Sequence, residues 1–277
     1  MKNKYLRNFY KYRFLLSEIV RKNVRLQYRD SVLGMFWTFL QPLLTTIVLV
    51  LVFGRVFGKS SDGVVNYPIY LLCGRLLYEF YSQSTKRAMH SITGSASVIK
   101  KVYVPKYIYP LSNIISTFVT FMISLTVLVA MMAYFMLFTD TPLHLSPYIL
   151  LALVPVFILL LLCIGVGLIL SVLSVFFKDI EYLYDVFTLL LFYMTPIFYK
   201  LNQLHLDKVT VGGFPIVEYM LMANPLYSIV SMFRSCVLYS VMWNWHWFFY
   251  SLGFSLVTII IGVWAFYKKQ DKFILYL

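Results

Sequence analysis

Four stretches of this chain, residues 31–54, 107–139, 141–177 and 235–267, contain no Asp, Glu, Lys or Arg. Each exceeds the ~20 residues that a helix rising 1.5 Å per residue needs to cross ~30 Å of hydrocarbon. Hydrocarbon offers the backbone no hydrogen-bond partner, so such runs must bond internally, as helices. Composition agrees: of 277 residues, 61% are hydrophobic and only 13% charged, outside the range of a water-soluble domain. Two weaker stretches extend the pattern, residues 67–88, interrupted by Arg75 and Glu79, and residues 182–199, with Asp185 near the start. The expected fold is an all-α integral membrane protein, one domain over 1–277, with six spans at 34–57, 67–88, 107–136, 148–177, 182–199 and 245–267.

The net charge of +13 does not point to nucleic acid, because the basic residues are separated by long uncharged runs instead of being gathered on one water-facing surface. It points to topology. Placed on the six spans, 18 of the 24 Lys and Arg fall on one side: nine before residue 31, five within 86–106, Lys178, and Lys268, Lys269 and Lys272. The positive-inside rule then puts both termini and the loops near 90–106 and 178–185 in the cytoplasm of a cell whose inner or plasma membrane holds the protein. Residues 226–239 are too short for a span, and counting them as one would put Lys268 and Lys269 outside. They are expected to dip into the outer leaflet and return, within an external re-entrant region over 212–240.

The first basic region leads into a full-length span with no small-residue cleavage site, so no signal peptide is expected. Within 10–30 the pattern is amphipathic. Tyr12, Leu15, Leu16, Ile19, Val20 and Leu26 share one face of a helical wheel, and Glu18, Arg21, Lys22, Arg25 and Arg29 the other. This helix should lie along the cytoplasmic membrane interface, either as a lipid anchor or as a docking surface for a soluble partner.

Catalytic chemistry is not visible. There is no Walker loop, Gly-x-Ser-x-Gly elbow or His-Glu-x-x-His pair. His90, His144, His205 and His246 are scattered, and Cys73, Cys163 and Cys236 sit in apolar contexts without metal-ligand spacing. No catalytic residue and no metal site are expected. A membrane transferase that modifies glycans would need an acid or histidine constellation at one membrane face, and none assembles. A conduit fits better, and one without a nucleotide site or buried acid chain must take its energy from elsewhere.

Four segments carry a family resemblance: "YRDSVLGMFWTFLQPLL" entering the first span, "SVIKKVYVPKYIYPLSN" after the second, "FFKDIEYLYDVFTLLLFYMTPIFY" through the fifth and "ANPLYSIVSMFR" beyond it. In this order they resemble the permease subunit of type 2 ABC exporters of lipid-linked polysaccharide, the group that carries O antigens, capsules, teichoic acids and rhamnose glycans. The resemblance implies a homodimer bound to two copies of a cytoplasmic ABC ATPase, with lipid-linked glycan as substrate. This chain would bind no cofactor of its own, ATP and Mg being held by the partner. A type 2 exporter of a small hydrophobic compound or drug is the alternative.

The resemblance also assigns residues. The interface helix, through Arg21 and Arg25, and a coupling helix over 95–104, through Ser97, Lys100, Lys101 and Tyr103, would contact the ATPase. Gly94 would start that coupling helix and Pro105 stop it. The alternative is a loop that is basic only for topology, with no partner. The substrate path would be lined by aromatics of the first span, Phe36, Trp37 and Phe39, and of the fifth, Phe192, Tyr193, Phe198 and Tyr199, whose ring faces suit sugar C–H faces. Trp243, Trp245 and Trp247 read as an interfacial belt. Arg75 and Glu79 are four residues apart, so they share one helix face. That face should turn away from lipid, either fastening two helices or offering Arg75 to a substrate phosphate.

Overall fold

A computed structural model describes residues 2–54, 66–102, 104–139, 146–199 and 221–276, with side chains from residue 11 onward. The elements are α1 (Lys2–Tyr28), a 3₁₀ turn (Gly34–Phe36) running into α2 (Trp37–Phe53), α3 (Tyr67–Gly94), α4 (Ala96–Ile99), α5 (Ile108–Phe138), α6 (Tyr148–Leu151), α7 (Leu153–Phe176), α8 (Ile180–Met194), α9 (Pro225–Val237), α10 (Trp245–Lys269) and, after a second 3₁₀ turn (Gln270–Lys272), α11 (Phe273–Tyr276). Among the described residues there is no strand.

Asparagine caps set three of the starts. The side chains of Asn66, Asn224 and Asn244 accept hydrogen bonds from the backbone N–H groups of Ile69, Leu226 and His246, and proline follows the first two caps within the first helical turn.

Four helical stretches, Gly34–Phe53, Ile108–Phe138, Tyr148–Phe176 and Trp245–Tyr276, are long and apolar enough to cross a membrane. They correspond to the four charge-free runs. The other two expected spans look different. α3 has the length, 28 residues, but carries Arg75, Glu79, Lys86 and Arg87. It lies at the centre of the bundle against α5 and α7, with Leu71, Leu72, Leu77 and Ala88 fully buried, so it does not need a lipid-compatible surface. α8 has 15 residues, which is about 22 Å and short of the ~30 Å hydrocarbon thickness. The expected span runs through 199. The helix stops at Met194 because Pro196 forces Thr195 into the extended region, at φ −87° and ψ 120°.

The expected coupling helix is also shorter than its predicted range 95–104. α3 runs on through Gly94, which therefore ends one helix instead of starting the next. Ser95 breaks the chain at φ −106° and ψ 13°, and only Ala96–Ile99 is helical before a turn at Lys100 and Lys101. Trp243 departs from the belt expectation too: it is buried and stacks on Phe248 at 6.2 Å, while Trp245 is exposed.

Helices in hydrocarbon gain little from burying apolar surface and associate through close contact instead. α7 and α10 cross at two glycines. A Cβ on Gly165 would lie 2.7 Å from the Ile259 nitrogen, and one on Gly262 would lie 2.6 Å from the Gly165 oxygen. At the end of the bundle carrying α4, a second cluster gathers Ile92, Ile99, Tyr109, Val172, Phe266 and Phe273. It ties α11 back to α3, α5 and α7.

Candidate transport path and docking surface

Arg75 and Glu79 lie where α2 meets α3. Arg75 Nε is 3.9 Å from Glu79 Oε2, and each side chain is about a fifth exposed, at 21% and 23%. Glu79 Oε1 accepts hydrogen bonds from Gln83 Nε2 at 3.0 Å and from Gln41 Nε2 of α2 at 3.3 Å. Arg75 Nε is buried without a hydrogen-bond partner among the described residues. Beside Glu79 is a polar-lined cavity of about 60 Å³, walled by Tyr28, Thr38, Gln41, Gln83 and Thr120. A polar chain leads on toward α1: Thr38 Oγ1 donates to Tyr28 Oη at 2.8 Å, and Arg87 Nη1 to Gln27 Oε1 at 2.9 Å.

The aromatic residues fall into two groups. Phe36, Trp37, Phe39 and Tyr193 are exposed. Phe198 is buried and meets Phe53, at the end of α2, and Phe192, each at a ring separation of 5.0 Å. Tyr199 donates to the Tyr193 carbonyl at 2.8 Å. The structure thus brings Phe192, Tyr193, Phe198 and Tyr199 together and joins them to α2 through Phe53, while Phe36, Trp37 and Phe39 lie toward the other end of α2. One face of α8, with Leu183, Val186, Phe187 and Leu190, is apolar and exposed. Its other side is fastened to α3, where Tyr78 donates to the Thr188 carbonyl at 2.5 Å, Tyr184 donates to Thr85 Oγ1 at 2.7 Å, and Lys86 pairs with Asp185 at 2.7 Å.

At the α4 end, Ile99 is buried and anchors a projecting knuckle on which Ser97, Val98, Lys100, Lys101 and Val102 are exposed. Tyr103 lies outside the described residues. On α1, Arg21 and Arg25 are exposed, Arg21 pairing with Glu18 at 2.9 Å, while Val24 is buried and Asn23 donates to Asn113 of α5 at 3.3 Å. Lys106 is different. Its Nζ donates to the Gln270 carbonyl at 2.6 Å and sits 5.7 Å from the Phe273 ring. Burial pushes its pKa down, the Asp271 carboxylate opposing this. It fastens the second 3₁₀ turn and the start of α11 to the segment before α5.

Arg234, the last residue of "ANPLYSIVSMFR", carries no role in the expectations drawn from sequence. It is 5% exposed, and its guanidinium is held by backbone carbonyls. A lone cation in an apolar stretch was the available signal.

The family model for the ABC-2 type transporter matches residues 15–238. The chain belongs to that family. It is similar to an O-antigen export system permease protein RfbA of Klebsiella pneumoniae, at 28% identity over 94% of this chain and 93% of the relative. A protein of the same name from Myxococcus xanthus is 27% identical, covering 83% and 82%. The polysialic acid transport protein KpsM of Escherichia coli is 21% identical over 91% of each chain. As a member of this family the chain is a membrane transport subunit, with ATP hydrolysis on a separate subunit.

Proposed function

We propose that this protein is the membrane half of an ATP-driven exporter that moves a lipid-linked polysaccharide or teichoic-acid-like polymer out of the cytoplasm. One observation carries the substrate class: relatives named for O-antigen export and polysialic acid transport align over nearly the whole chain. The long alignment favours the same architecture, six spans with α3 and α8 among them and both termini in the cytoplasm of the inner or plasma membrane.

The exposed apolar face of α8 and the exposed aromatics of α2 favour a homodimer in which these two helices face the second copy across the path. The exposed rings of Phe36, Trp37, Phe39 and Tyr193 then face a sliding glycan, with Phe192, Phe198 and Tyr199 packed behind Tyr193 at the end of the path. Arg75, whose partner Glu79 lines the polar cavity, meets a substrate phosphate, and Glu79 holds it when substrate is absent. The knuckle of Ser97, Lys100 and Lys101, with Arg21 and Arg25 on α1, is the docking surface for two copies of an ABC ATPase that supplies ATP and Mg.

A second reading, export of a small hydrophobic compound, is favoured by an apolar groove of about 780 Å³ between α2 and α5, where Phe36 and Phe39 line the wall together with Leu43, Ile47, Val50 and Met131. Deleting the chain in its native host and measuring cell-surface glycan separates the two. The expected result is loss of surface polymer with lipid-linked polymer accumulating inside, restored by the intact chain together with its ATPase. Normal surface glycan with increased sensitivity to a hydrophobic compound would reverse the assignment.

A further inference from the structure

Residues 195–199 form the only non-helical backbone among the described residues that is buried deep between helices: Thr195 and Ile197 have no exposed surface and Phe198 is 6% exposed. Irregular backbone at membrane depth persists only where its polar groups find partners inside the protein. Here every carbonyl from 196 to 199 has one. Arg234 Nη1 donates to Pro196 at 2.8 Å and Nη2 to Ile197 at 3.0 Å, Tyr67 donates to Phe198 at 3.0 Å and Tyr70 to Tyr199 at 3.0 Å.

Arg234 also reaches into α3. Its Nη2 and Nε donate to the Tyr70 carbonyl at 3.0 and 3.3 Å, and its guanidinium carbon lies 3.5 Å from the Tyr70 ring centroid. This approach requires Gly74, where a Cβ would lie 2.5 Å from Nη2. No carboxylate pairs with Arg234 among the described residues, where carbonyl dipoles and a ring face compensate the charge. A planar fork of donors can serve three carbonyls on two segments at once, which a lysine cannot.

The clamped segment carries Phe198, the ring that meets Phe53 of α2 and Phe192 of α8. We propose that Arg234 is a positioning residue for export: acting through the Pro196 and Ile197 carbonyls, it sets Phe198 as an aromatic closure where the far ends of α2 and α8 converge. The inference rests on the reading above that the path runs along these two helices.

The test introduces Ile197→Cys in a background free of the native cysteines and adds an impermeant thiol reagent to intact cells, alongside an assay of surface glycan. With Arg234 present, the introduced thiol stays protected and export is supported. In Arg234→Gln, the thiol reacts and export falls at least roughly tenfold, the scale on which lost charge-assisted contacts are felt, while membrane protein level and ATPase copurification hold. Arg234→Lys gives intermediate labelling. If Arg234→Gln does not accumulate, Gly74→Ala decides the matter, since it displaces the guanidinium without removing it and is expected to expose the thiol in the same way. A thiol that stays protected in the accumulating variant, or one that is exposed with full export, overturns the proposal. Failure of the path reading is distinct: Val186→Trp, which fills the exposed face of α8 away from the clamp, then leaves export unchanged.

Discussion

Ser124 Oγ of α5 donates a 3.2 Å hydrogen bond to the carbonyl oxygen of Thr38 in α2. That carbonyl stands four residues before Pro42, which has no N–H to donate back to it. A neighbouring helix therefore supplies the hydrogen bond that proline removes from α2, and α2 and α5 are joined at the point where α2 is weakest. Ser124→Ala should lower stability by about 0.5–2 kcal/mol. In a Pro42→Ala background, where the backbone can bond Thr38 itself, the same change should cost little. Thermal unfolding of the four purified proteins in one detergent gives the coupling, and equal costs in both backgrounds would dismiss the compensation.

The Arg75 and Glu79 pair should respond unequally to loss of either member. Glu79 keeps two amide donors, Gln41 and Gln83, when Arg75 is removed, whereas Arg75 Nε has no hydrogen-bond partner to fall back on when Glu79 is removed. Glu79→Gln should therefore destabilise more, by roughly 1–3 kcal/mol, and Arg75→Gln in that background should recover part of it. In export, Arg75→Gln alone should reduce surface glycan about tenfold at normal protein level, the worth of one charge-assisted hydrogen bond to phosphate. Full export by a stable, well-expressed Arg75→Gln protein would end its substrate role.

On the knuckle, Val98 and Val102 are exposed between Ser97, Lys100 and Lys101 although Ile99 beside them is buried. Changing both valines to Ser leaves charge, and hence topology, untouched. The expected result is weaker copurification of the ATPase subunit and reduced export, with normal amounts of the chain in the membrane. Replacing 95–104 by a Gly/Ser linker should abolish assembly. Intact assembly and export after that replacement would reduce the segment to a topological signal.

Topology is open to direct labelling, because Cys73, Cys163 and Cys236 are all buried and so out of reach of an added thiol reagent. Single cysteines at Ser97 and Gln270 should be shielded from an impermeant thiol reagent added to whole cells. A cysteine at Gln203 or Val209, both outside the described residues, should react. Reaction at Ser97 would reverse the orientation and remove the ATPase from the knuckle.

Long uncharged runs left no alternative to membrane helices, since twenty or more residues without charge in hydrocarbon can satisfy their backbone only by helix formation. The asymmetry of Lys and Arg carries an expected orientation that the labelling above tests, and four ordered segments carry the resemblance to an exporter subunit, in agreement with the family match over residues 15–238. All of this is written in local composition and order. The tertiary structure decided what depends on neighbours. The middle of α3 tolerates Arg75 and Glu79 because Gln41 and Gln83 supply amides to Glu79. The predicted 182–199 helix ends early because Pro196 breaks it, and the resulting bare carbonyls are tolerable only because Arg234, Tyr67 and Tyr70 arrive from distant parts of the chain. Trp243 and Lys106 read as interface anchor and loop charge but proved to be packed. Arg234 lies 38 residues from one carbonyl it holds and 164 from another. No local pattern encodes such a contact, because only the folded bundle brings its donors and acceptors within hydrogen-bond range.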